Sequence, residues 1–576
     1  MKRLLGRMRM TSADPIPNCT EFDLIVLGSG AAGLSAAVTA ADGGLKVLVI
    51  EKEDVIGGTT AWSGGWIWCP GNPVAHRAGI RDDKAAARQY LQAVTGNHFD
   101  PLRVDAFLDA APEMIAFFEQ KSAVEFDGGL KIPDTYGHLP GAGTGGRSVI
   151  ARPFDARALR DDLALLRKPL PETTFLGMTI QAGPDLRAFM TMTRSFRSCL
   201  YATRRTLRHC LDLLLHGRGM ELRNGAALVG RLLLSARAKG VNIRTNTSVG
   251  GLIVESGRVS GVRLADESEI RATCGVVLAC GGYPRDAACR AETFQRDGEH
   301  LTLAVPSAAG DGLRLGEAAG GVVRTDLASP AALCPVSSVP WPDGHVGRFP
   351  HIIDRGKPGV IGVLATGRRF CNEGLGYHDY VRAMMASVPD GTPARSWLVC
   401  DHRFLRRFGL GIVRPQPLPF GNWLKSGYLK RGRSIADLAR TCGIDPAGLE
   451  RTVTEWNEGA RRGEDPLFGR GTTPYMRLQG DPDQTPNPNV APIETGPFYA
   501  VEVVPGSFGT FAGLATDQHA RVVDANGSAI PGLYAAGTDC ASVFGGFYPA
   551  GGINLGPAMT FGFIAGRHAA QGRRTS

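Results

Sequence analysis

The residues of this chain most clearly suited to chemistry are three glycines and an acid near its N-terminus. Gly28, Gly30 and Gly33 stand in G-x-G-x-x-G register, and Glu51 follows them. In such a motif the first glycine forms a tight turn, the second lets the backbone approach a pyrophosphate, and the third lets a helix pack against a strand. An acid about 20 residues further on accepts hydrogen bonds from a ribose. The spacing therefore predicts that this segment binds a dinucleotide cofactor.

The elements that must hold these residues are indicated by the surrounding sequence. Residues 22–27 form a short apolar run, typical of a strand buried on both faces of a parallel sheet. Residues 47–50 form a second such run, which ends at the acid. A helix is predicted between them, with its N–H groups and positive dipole end facing the phosphates. We therefore expect a β-α-β unit of a Rossmann-like domain.

Two further segments indicate which dinucleotide is bound. Residues 57–65 form a second glycine-rich loop after the acid, as a cofactor with a long ribityl-flavin arm requires. Residues 528–539 and a helix predicted to begin at about Asn554 resemble the closing FAD motif of two-dinucleotide-binding flavoproteins. This resemblance implies FAD as the cofactor. The predicted FAD-binding residues are Gly28, Ser29, Gly30, Ala32, Gly33, Glu51, Lys52, Gly58, Thr59, Thr60, Ser63, Gly64, Gly65, Ala279, Gly281, Gly537, Asp539, Asn554 and Leu555.

The residues before the final helix indicate the kind of substrate. Between Asp539 and Gly566 the chain has no Arg, Lys or His, although a dicarboxylate substrate would require such cations. This segment instead supplies an apolar wall with a single phenol, made of Phe544, Phe547, Tyr548, Pro549, Ile553 and Met559. Such a wall suits a polycyclic or otherwise apolar substrate.

The order of these elements resembles that of the fumarate reductase/succinate dehydrogenase flavoprotein superfamily, from about residue 22 to 570. Within it, several stretches are similar to the 3-ketosteroid Δ1-dehydrogenases, namely residues 57–72, 133–141, 152–157, 367–380, 509–517 and 547–570. The resemblance implies a dehydrogenase that introduces a C=C bond next to a ketone and passes electrons to a quinone or another acceptor. It also implies non-covalent FAD, because Thr59 and Thr60 occupy the loop where the respiratory enzymes place a histidine that attaches the flavin.

The same resemblance implies roles for four residues. Tyr548 and the backbone N–H of Gly552 look like the pair that polarises the ketone oxygen. Tyr377 looks like the base that removes the neighbouring proton, and Tyr136 resembles a supporting tyrosine. Because a phenol has an ordinary pKa near 10, the base must be helped towards phenolate by the flavin-facing helix end or by a hydrogen-bonding partner.

Several alternatives remain open in the sequence. His378 or Tyr380 could handle the proton in place of Tyr377, and the glycine-rich loop at 551–555 departs from the ketosteroid pattern. The substrate could then be a ketosteroid desaturated at the Δ4(5α) bond, or a non-steroidal alicyclic ketone. A reductase of an activated alkene would need an arginine proton donor, such as Arg355 or Arg382.

Length and composition are those of a large α/β enzyme. With 576 residues we expect a disordered tail at 1–20, a Rossmann-like FAD-binding domain at 21–306 and 496–576, and an inserted α+β catalytic domain at 307–495. The 12 cysteines include no C-x-x-C pair, so neither a metal site nor a disulfide framework is predicted. No apolar run reaches the roughly 18 residues of a membrane span. A cytoplasmic location is expected.

The net charge of +9 is partly concentrated in one segment. Residues 187–208 carry six arginines and no acid, with leucines and aromatics interleaved as in an amphipathic helix. A solvated helical face explains this pattern, and the alternative is a weak peripheral contact with a membrane that helps to collect an apolar substrate. No motif indicates binding of nucleic acid.

Overall fold

The computed structural model describes residues 21–294, 296, 298 and 300–575. The tail predicted at 1–20 lies outside the described residues. The strands, in chain order, are β1 (Glu21–Leu27), β2 (Val47–Ile50), β3 (Trp66–Trp68), β4 (Phe126–Gly128), β5 (Ser148–Ala151), β6 (Phe154–Asp155), β7 (Thr174–Phe175), β8 (Met178–Thr179), β9 (Glu221–Leu222), β10 (Asn242–Arg244), β11 (Val249–Glu255), β12 (Arg258–Leu264), β13 (Glu269–Leu278), β14 (Leu301–Thr302), β15 (Val323–Arg324), β16 (Ala331–Pro340), β17 (Val346–Pro350), β18 (Val360–Val363), β19 (Ser396–Cys400), β20 (Lys430–Gly432), β21 (Phe498–Thr510), β22 (Gly513–Leu514), β23 (Arg521–Val523) and β24 (Ala529–Ala535).

The α-helices alternate with these strands along most of the chain. In chain order they are α1 (Ala31–Asp42), α2 (Pro73–Arg77), α3 (Lys84–Thr95), α4 (Pro101–Lys121), α5 (Pro184–Thr191), α6 (Phe196–His216), α7 (Asn224–Ala238), α8 (Ala287–Thr293), α9 (Asp311–Ala318), α10 (Tyr377–Ala386), α11 (His402–Phe408), α12 (Gly421–Lys425), α13 (Ile435–Cys442), α14 (Pro446–Ala460), α15 (Pro474–Gln479) and α16 (Leu555–Thr575).

The larger sheet carries the dinucleotide motif. Its strand order is β10-β2-β1-β13-β12-β11, and β24 pairs with β13. The first half of β13 pairs antiparallel with β12, while Val276–Leu278 pair parallel with both β1 and β24. The carboxyl ends of β1, β2, β13 and β24 therefore meet at one edge, where ligands bind in open α/β sheets. The predicted strands at 22–27 and 47–50 are confirmed.

Both faces of this sheet are buried, as its apolar strands require. Leu24 and Val26 of β1 face a core shared with α1, α7 and α16, while Ile25 and Leu27 face a second core with β12 and β24. This alternation follows from the two-residue period of a strand. Helix α16 packs along α1 and against α4, and it thereby brings the C-terminus back to the first β-α-β unit.

A second sheet lies beside the first and carries most of the region between residues 331 and 510. Its order is β17-β16-β21-β19-β18, with β14 and β20 also paired to β21. Strand β21 follows the domain boundary predicted at 496 and forms hydrogen-bonded ladders with β16 and β19 of the predicted catalytic domain. It therefore links the two predicted domains, whose boundaries stay predictions.

The arginine-rich segment forms two helices, α5 and α6, rather than one continuous helix. No helix among the described residues is long and apolar enough to cross a bilayer.

Candidate active site

Two glycines of the N-terminal motif lie where the backbone leaves no room for a side chain. A Cβ on Gly28, whose φ is +102°, would lie 2.2 Å from the carbonyl oxygen of Ala279. A Cβ on Gly33 would lie 2.0 Å from the carbonyl oxygen of Gly28. Only a residue without a side chain allows the β1–α1 turn, the end of β13 and helix α1 to approach so closely.

A cleft of about 290 Å³ opens at the carboxyl ends of β1, β2 and β13. Most of the predicted FAD-binding residues line it, namely Gly28, Ser29, Gly30, Ala32, Glu51, Lys52, Gly58, Thr59, Thr60, Ser63, Ala279, Gly281, Gly537, Asn554 and Leu555. The N-terminal end of α1 faces this cleft, as an anion-binding helix end must. The residues present therefore fit a dinucleotide that runs from the first glycine loop towards α16.

The four other predicted FAD-binding residues, Gly33, Gly64, Gly65 and Asp539, are not part of the cleft lining. Buried Asp539 accepts hydrogen bonds from the backbone N–H groups of Cys280 and Gly282, and so fixes the loop after β13. Gly33 supports the β1–α1 turn. A Cβ on Gly65 would lie 2.5 Å from the backbone of Asn224, whereas one on Gly64 would meet open space.

Polar residues of the cleft are joined by hydrogen bonds and an ion pair. The Ser29 hydroxyl donates to the Glu51 carboxylate at 2.6 Å, and the Ser29 backbone N–H donates to the same oxygen at 3.1 Å. Lys52 forms an ion pair with Asp311 at the start of α9. Glu51 therefore lies where the fingerprint requires the ribose-binding acid.

Some of the lining was not predicted from the sequence. Residues 247–249, which follow β10, and Phe508 of β21 contribute to the cleft, as do Val305, Ser307 and Ala308. The strand before residue 247 was a signal, because β10 ends at the same edge as β2. No histidine is among the residues that line the cleft in the described part of the chain.

Two of the predicted catalytic tyrosines lie side by side near this cleft. Tyr377 begins α10, and Tyr548 lies in the loop before α16. Their ring centroids are 4.9 Å apart at an interplanar angle of 73°. Phe508, which also lines the cleft, packs edge-on against Tyr377 at 5.5 Å. The side-chain amide of Asn554 donates to the Tyr548 hydroxyl at 3.4 Å.

Burial controls the acidity of both phenols. It raises the pKa of Tyr377 well above its ordinary value, and the nearby Tyr548 and Tyr475 hydroxyls raise it further. Burial also raises the pKa of Tyr548, although the Tyr377 hydroxyl opposes the change. Tyr475, in α15, was not singled out by the sequence analysis. No described partner of Tyr377 lowers its pKa strongly enough to offset burial, so the expected help towards phenolate is not visible in these contacts.

Gly552 and Tyr136 are each held by close contacts with neighbouring segments. Gly552 has a φ of +104°, and a Cβ there would lie 2.6 Å from the backbone nitrogen of Trp68. Tyr136 is half-buried, and its hydroxyl donates to the Asp379 carboxylate at 2.9 Å. Its backbone N–H donates to the hydroxyl of Tyr90 at 3.2 Å. Tyr136 is therefore held against the first turn of α10 through Asp379, which lies two residues after Tyr377.

Comparison with known proteins decides the family of this chain. Residues 23–555 match the FAD binding domain family. A 4-oxocyclohex-2-ene-1-carboxylate 5-dehydrogenase of Sinomonas cyclohexanicum is 39% identical over 555 residues, which cover 95% of this chain and 94% of that protein. A 3-oxosteroid 1-dehydrogenase of Mycobacterium tuberculosis is 36% identical over 570 residues, covering 96% and 98%. The chain belongs to the 3-oxosteroid 1-dehydrogenase family of FAD-dependent oxidoreductases.

The solved structures agree with this assignment. The crystal structure of a 3-ketosteroid Δ1-dehydrogenase from Sterolibacterium denitrificans matches with a TM-score of 0.89 and 33% identity, covering 96% of this chain and all of that one. The predicted flavoprotein family, the α/β fold with an FAD-binding domain, the FAD cofactor and the activity on CH–CH groups are confirmed.

The two alternatives to Tyr377 have other roles in the fold. The Nδ1 atom of buried His378 accepts a hydrogen bond from the backbone N–H of Leu333 at 3.2 Å, and burial lowers the pKa of His378 to about 3. Its remaining ring nitrogen must therefore carry a proton, and a neutral imidazole held in this tautomer cannot act as the base there. The Tyr380 hydroxyl is hydrogen-bonded to Ser396 at 2.9 Å, away from Tyr548.

The loop before Tyr377 is fixed by a buried ionic network. Arg369 forms ion pairs with Glu373 at 2.7 Å and with Asp465 at 2.8 Å. Glu373 also accepts from the backbone N–H of Gly362 and from Arg470, at 3.0 and 3.3 Å. These charges pair with one another and so fix the position of the loop before Tyr377.

Proposed function

We propose that this protein introduces a C=C bond next to the ketone of a cyclic substrate, with the 1,2-desaturation of a 3-ketosteroid as its most direct form. The observation that carries the proposal is the contact of Tyr377 and Tyr548 beside the FAD cleft, 4.9 Å between ring centroids. An apolar, phenol-bearing site suits a ketone better than it suits a dicarboxylate.

In this proposal the two phenols have different tasks. Tyr548 and the backbone N–H of Gly552 donate to the ketone oxygen and stabilise the enolate that develops as the proton leaves. Tyr377 takes the proton from the carbon next to the ketone. FAD held by the glycine turn at Gly28 and Gly30 and by the N-terminal end of α16 would supply the acceptor for the hydride from the adjacent carbon. Tyr136 supports the base through its hydrogen bond to Asp379 of α10, and a quinone or another acceptor takes the electrons afterwards.

The alternative of an alkene reductase has little support. Arg355, one of the two arginines considered as proton donors, is fully buried. Its guanidinium donates to the backbone carbonyls of His351, Glu373 and Leu375. Through these hydrogen bonds the Arg355 guanidinium stabilises the neighbouring loops. Arg382 is exposed and lies over the ring of Phe547 at 5.8 Å.

Arg382 instead favours a second substrate candidate, an alicyclic ketone that carries a carboxylate. Phe547 directly precedes Tyr548 in the chain. The Arg382 guanidinium above the Phe547 ring therefore lies close to the Tyr377–Tyr548 pair. A relative that is 39% identical bears the name of a 4-oxocyclohex-2-ene-1-carboxylate dehydrogenase. A guanidinium is well suited to bind a carboxylate at the far end of such a ring.

A ketone panel tests the proposal and separates the two substrates. The FAD-loaded protein is mixed anaerobically with 4-androstene-3,17-dione, its 5α-reduced analogue, 4-oxocyclohexane-1-carboxylate or fumarate, and the absorbance of oxidised flavin is followed. We expect rapid bleaching by at least one ketone and none by fumarate. Absence of bleaching by every ketone, together with reoxidation of dithionite-reduced protein by fumarate or an enone, would establish a reductase instead.

We also propose that helix α6 contacts an anionic lipid surface and keeps the protein, although cytoplasmic, close to a source of apolar substrate. The outward side of this helix is apolar, with Phe196 84%, Leu200 61%, Leu207 60%, Leu211 57%, Leu214 82% and Leu215 74% exposed. Exposed arginines adjoin this stripe, namely Arg197, Arg204 and Arg208. An apolar stripe beside cationic side chains is typical of helices that lie in a membrane interface.

The inward side of α6 is polar, which reverses the usual arrangement. Arg205 is buried against Asp185 at 2.5 Å, and His209 bonds to the carbonyl oxygen of Leu176 at 2.8 Å. Buried Asp212 accepts from the backbone N–H of Met220 at 3.1 Å. The expected solvated face is present, since five of the six arginines at 187–208 are exposed and only Arg205 is buried, but the leucines of α6 share this outward side.

Vesicle sedimentation checks the lipid contact. The triple variant L207E/L211E/L214E is expected to lose most of the binding of the wild type to phosphatidylglycerol vesicles, because each apolar side chain buried in lipid contributes about 1.5–3 kcal/mol. The matched control is Leu102→Glu, on α4, whose side chain is 67% exposed outside this stripe. Equal pelleting of wild type and triple variant would contradict the proposal, and a dimer lost in the triple variant would assign the stripe to a second copy.

A further inference from the structure

The raised pKa of Tyr377 keeps its phenol protonated, so Tyr377 can take a proton from the substrate only if it passes its own proton to another group in the same step. Tyr377 is buried, and its pKa is raised by burial and by the Tyr548 and Tyr475 hydroxyls. A phenol in such surroundings cannot release a proton directly to water near neutral pH. A second group must therefore accept the proton and reach an ionised state at the working pH.

Asp379 lies where such a group is needed. It is on the first turn of α10, two residues after Tyr377, and its Oδ1 atom accepts the hydroxyl of Tyr136 at 2.9 Å. Its Oδ2 atom is shielded from solvent and has no hydrogen-bond partner within the described chain. A Cβ on Gly376 would lie 2.7 Å from Oδ2, so the carboxylate folds back over the N-terminal end of α10. The helix dipole there favours a negative charge.

Titratable and charged groups face Asp379 from each element packed against it. They are Tyr90 of α3, Tyr136 of the loop after β4, Arg355, Cys371, Tyr475 of α15 and Arg382 of α10 itself. The two arginines lower the pKa of Asp379, and the hydrogen bond from Tyr136 lowers it as well, but burial outweighs them and raises it to about 6.

The neighbouring groups do not titrate in this range. Burial raises the pKa of Tyr475 to about 12 and that of Tyr136 and Cys371 further above their ordinary values. Burial lowers the pKa of His378 to about 3. Among these groups of the described chain, Asp379 is the one whose charge changes close to neutrality.

We propose that Asp379 accepts the proton that leaves the active site, with Tyr136 as the hydrogen-bonded donor that delivers it. This inference rests on the proposed function. As the C–H bond next to the ketone breaks, Tyr377 forms an O–H bond with that proton while its own O–H bond breaks in favour of the relay, and bound FAD would serve as the acceptor of the hydride from the adjacent carbon. The proton then passes from Tyr377 through the neighbouring hydroxyls. The O–H bond of Tyr136 breaks in favour of Oδ1 of Asp379 and is re-formed from the relay, and Asp379 releases one proton to water.

Two phenols lie near the base and the acid, Tyr475 close to Tyr377 and Tyr136 hydrogen-bonded to Asp379. Tyr475 is close enough to raise the pKa of Tyr377, and the Asp379 carboxylate in turn raises the pKa of Tyr475 after burial. Tyr136 and Asp379 are both half-buried, and Arg382, one turn further along α10, is exposed. The path therefore runs from a buried base towards the surface. Asp379 acts through these phenols, so it is a positioning residue and not a catalytic one.

The test is the pH dependence of anaerobic flavin reduction in the FAD-loaded wild type and in Asp379→Asn. 4-Androstene-3,17-dione and 4-oxocyclohexane-1-carboxylate serve as the ketones. In the wild type we expect the rate constant to fall as pH decreases through about 6, because protonated Asp379 cannot accept another proton. Asp379→Asn is expected to reduce the rate about tenfold at pH 8 and to remove the acidic limb of the profile.

Two further variants separate the relay from a structural role. Asp379→Glu keeps a carboxylate and is expected to keep an acidic limb, which a merely structural role would not predict. Tyr380→Phe, on the same helix but bonded to Ser396, is the matched control and should leave the limb unchanged. Persistence of the wild-type limb in Asp379→Asn would overturn this inference alone. Failure of both ketones to reduce the wild type would overturn the proposed function and this inference with it.

Discussion

Replacing Tyr548 with Phe is expected to slow the reduction of bound FAD by a ketone about 10²- to 10³-fold. The variant loses one hydroxyl that donates to the developing enolate, while its ring keeps the same volume. The ring contacts with Tyr377 at 4.9 Å and with Phe511 at 6.2 Å do not involve the hydroxyl, so the packing of the site should survive. The loss should therefore appear in the rate of the chemical step and not in the amount of folded, FAD-loaded protein.

The measurement is the rate of flavin bleaching at saturating ketone, with the FAD content of each variant determined first. Tyr534→Phe is the matched control, because its hydroxyl bonds to His568 at 3.0 Å on the other side of α16. It should react at the wild-type rate. A Tyr548→Phe variant that reacts within about twofold of the wild type would remove Tyr548 from the mechanism, since an oxyanion donor contributes far more than that.

Replacing Arg369 with Met is expected to destabilise the protein by about 3–5 kcal/mol. The substitution leaves Glu373 fully buried with Arg470 as its remaining cation, and leaves Asp465 without the guanidinium that donates to both of its oxygens. The Arg369 guanidinium also lies over the ring of Trp456 at 4.7 Å. An uncompensated buried charge has a much larger effect than the loss of a surface pair, because it is desolvated without a partner.

Thermal unfolding of the FAD-loaded protein, followed by circular dichroism, measures this effect. Arg461→Met is the control, since Arg461 pairs with Glu494 at 2.6 Å while its side chain is 59% exposed. An exposed pair of this kind contributes less than about 1 kcal/mol. Equal unfolding temperatures for the two variants would show that the network around Glu373 does not hold the loop before Tyr377.

The cofactor region could be predicted closely from the sequence because its geometry is encoded by near neighbours. Gly28 indicates a tight turn, and Gly33, five residues later, indicates close packing of a helix against a strand. The apolar run before them indicates a buried strand. The helix predicted to begin at about Asn554 begins at Leu555. The sequence did not indicate that residues 247–249 line the cleft. Their position there depends on the pairing of β10 with β2, which local sequence does not show.

The catalytic region was less accessible to sequence reasoning. The resemblance to known dehydrogenases supplied Tyr377 and Tyr548, but the residues themselves gave no reason to bring α10 against the loop before α16. Asp379 lies within the similar stretch 367–380 but was given no role there, Tyr475 lies in no such stretch, and the importance of both comes from the groups that surround them. The direction of α6 was also hidden, because an amphipathic pattern shows that a helix has two faces without showing which one is buried.

The sequence by itself determined the cofactor class and the β-α-β unit that holds it, since a glycine at a positive φ or a close backbone approach constrains only a few adjacent residues. The tertiary structure decided which distant side chains meet. It placed Tyr377 beside Tyr548, gave Asp379 its hydrogen bond from Tyr136, and turned the leucines of α6 outward. Such contacts depend on the packing of whole elements, and the pKa of a buried group depends on all of its neighbours, so neither can be derived from local spacing.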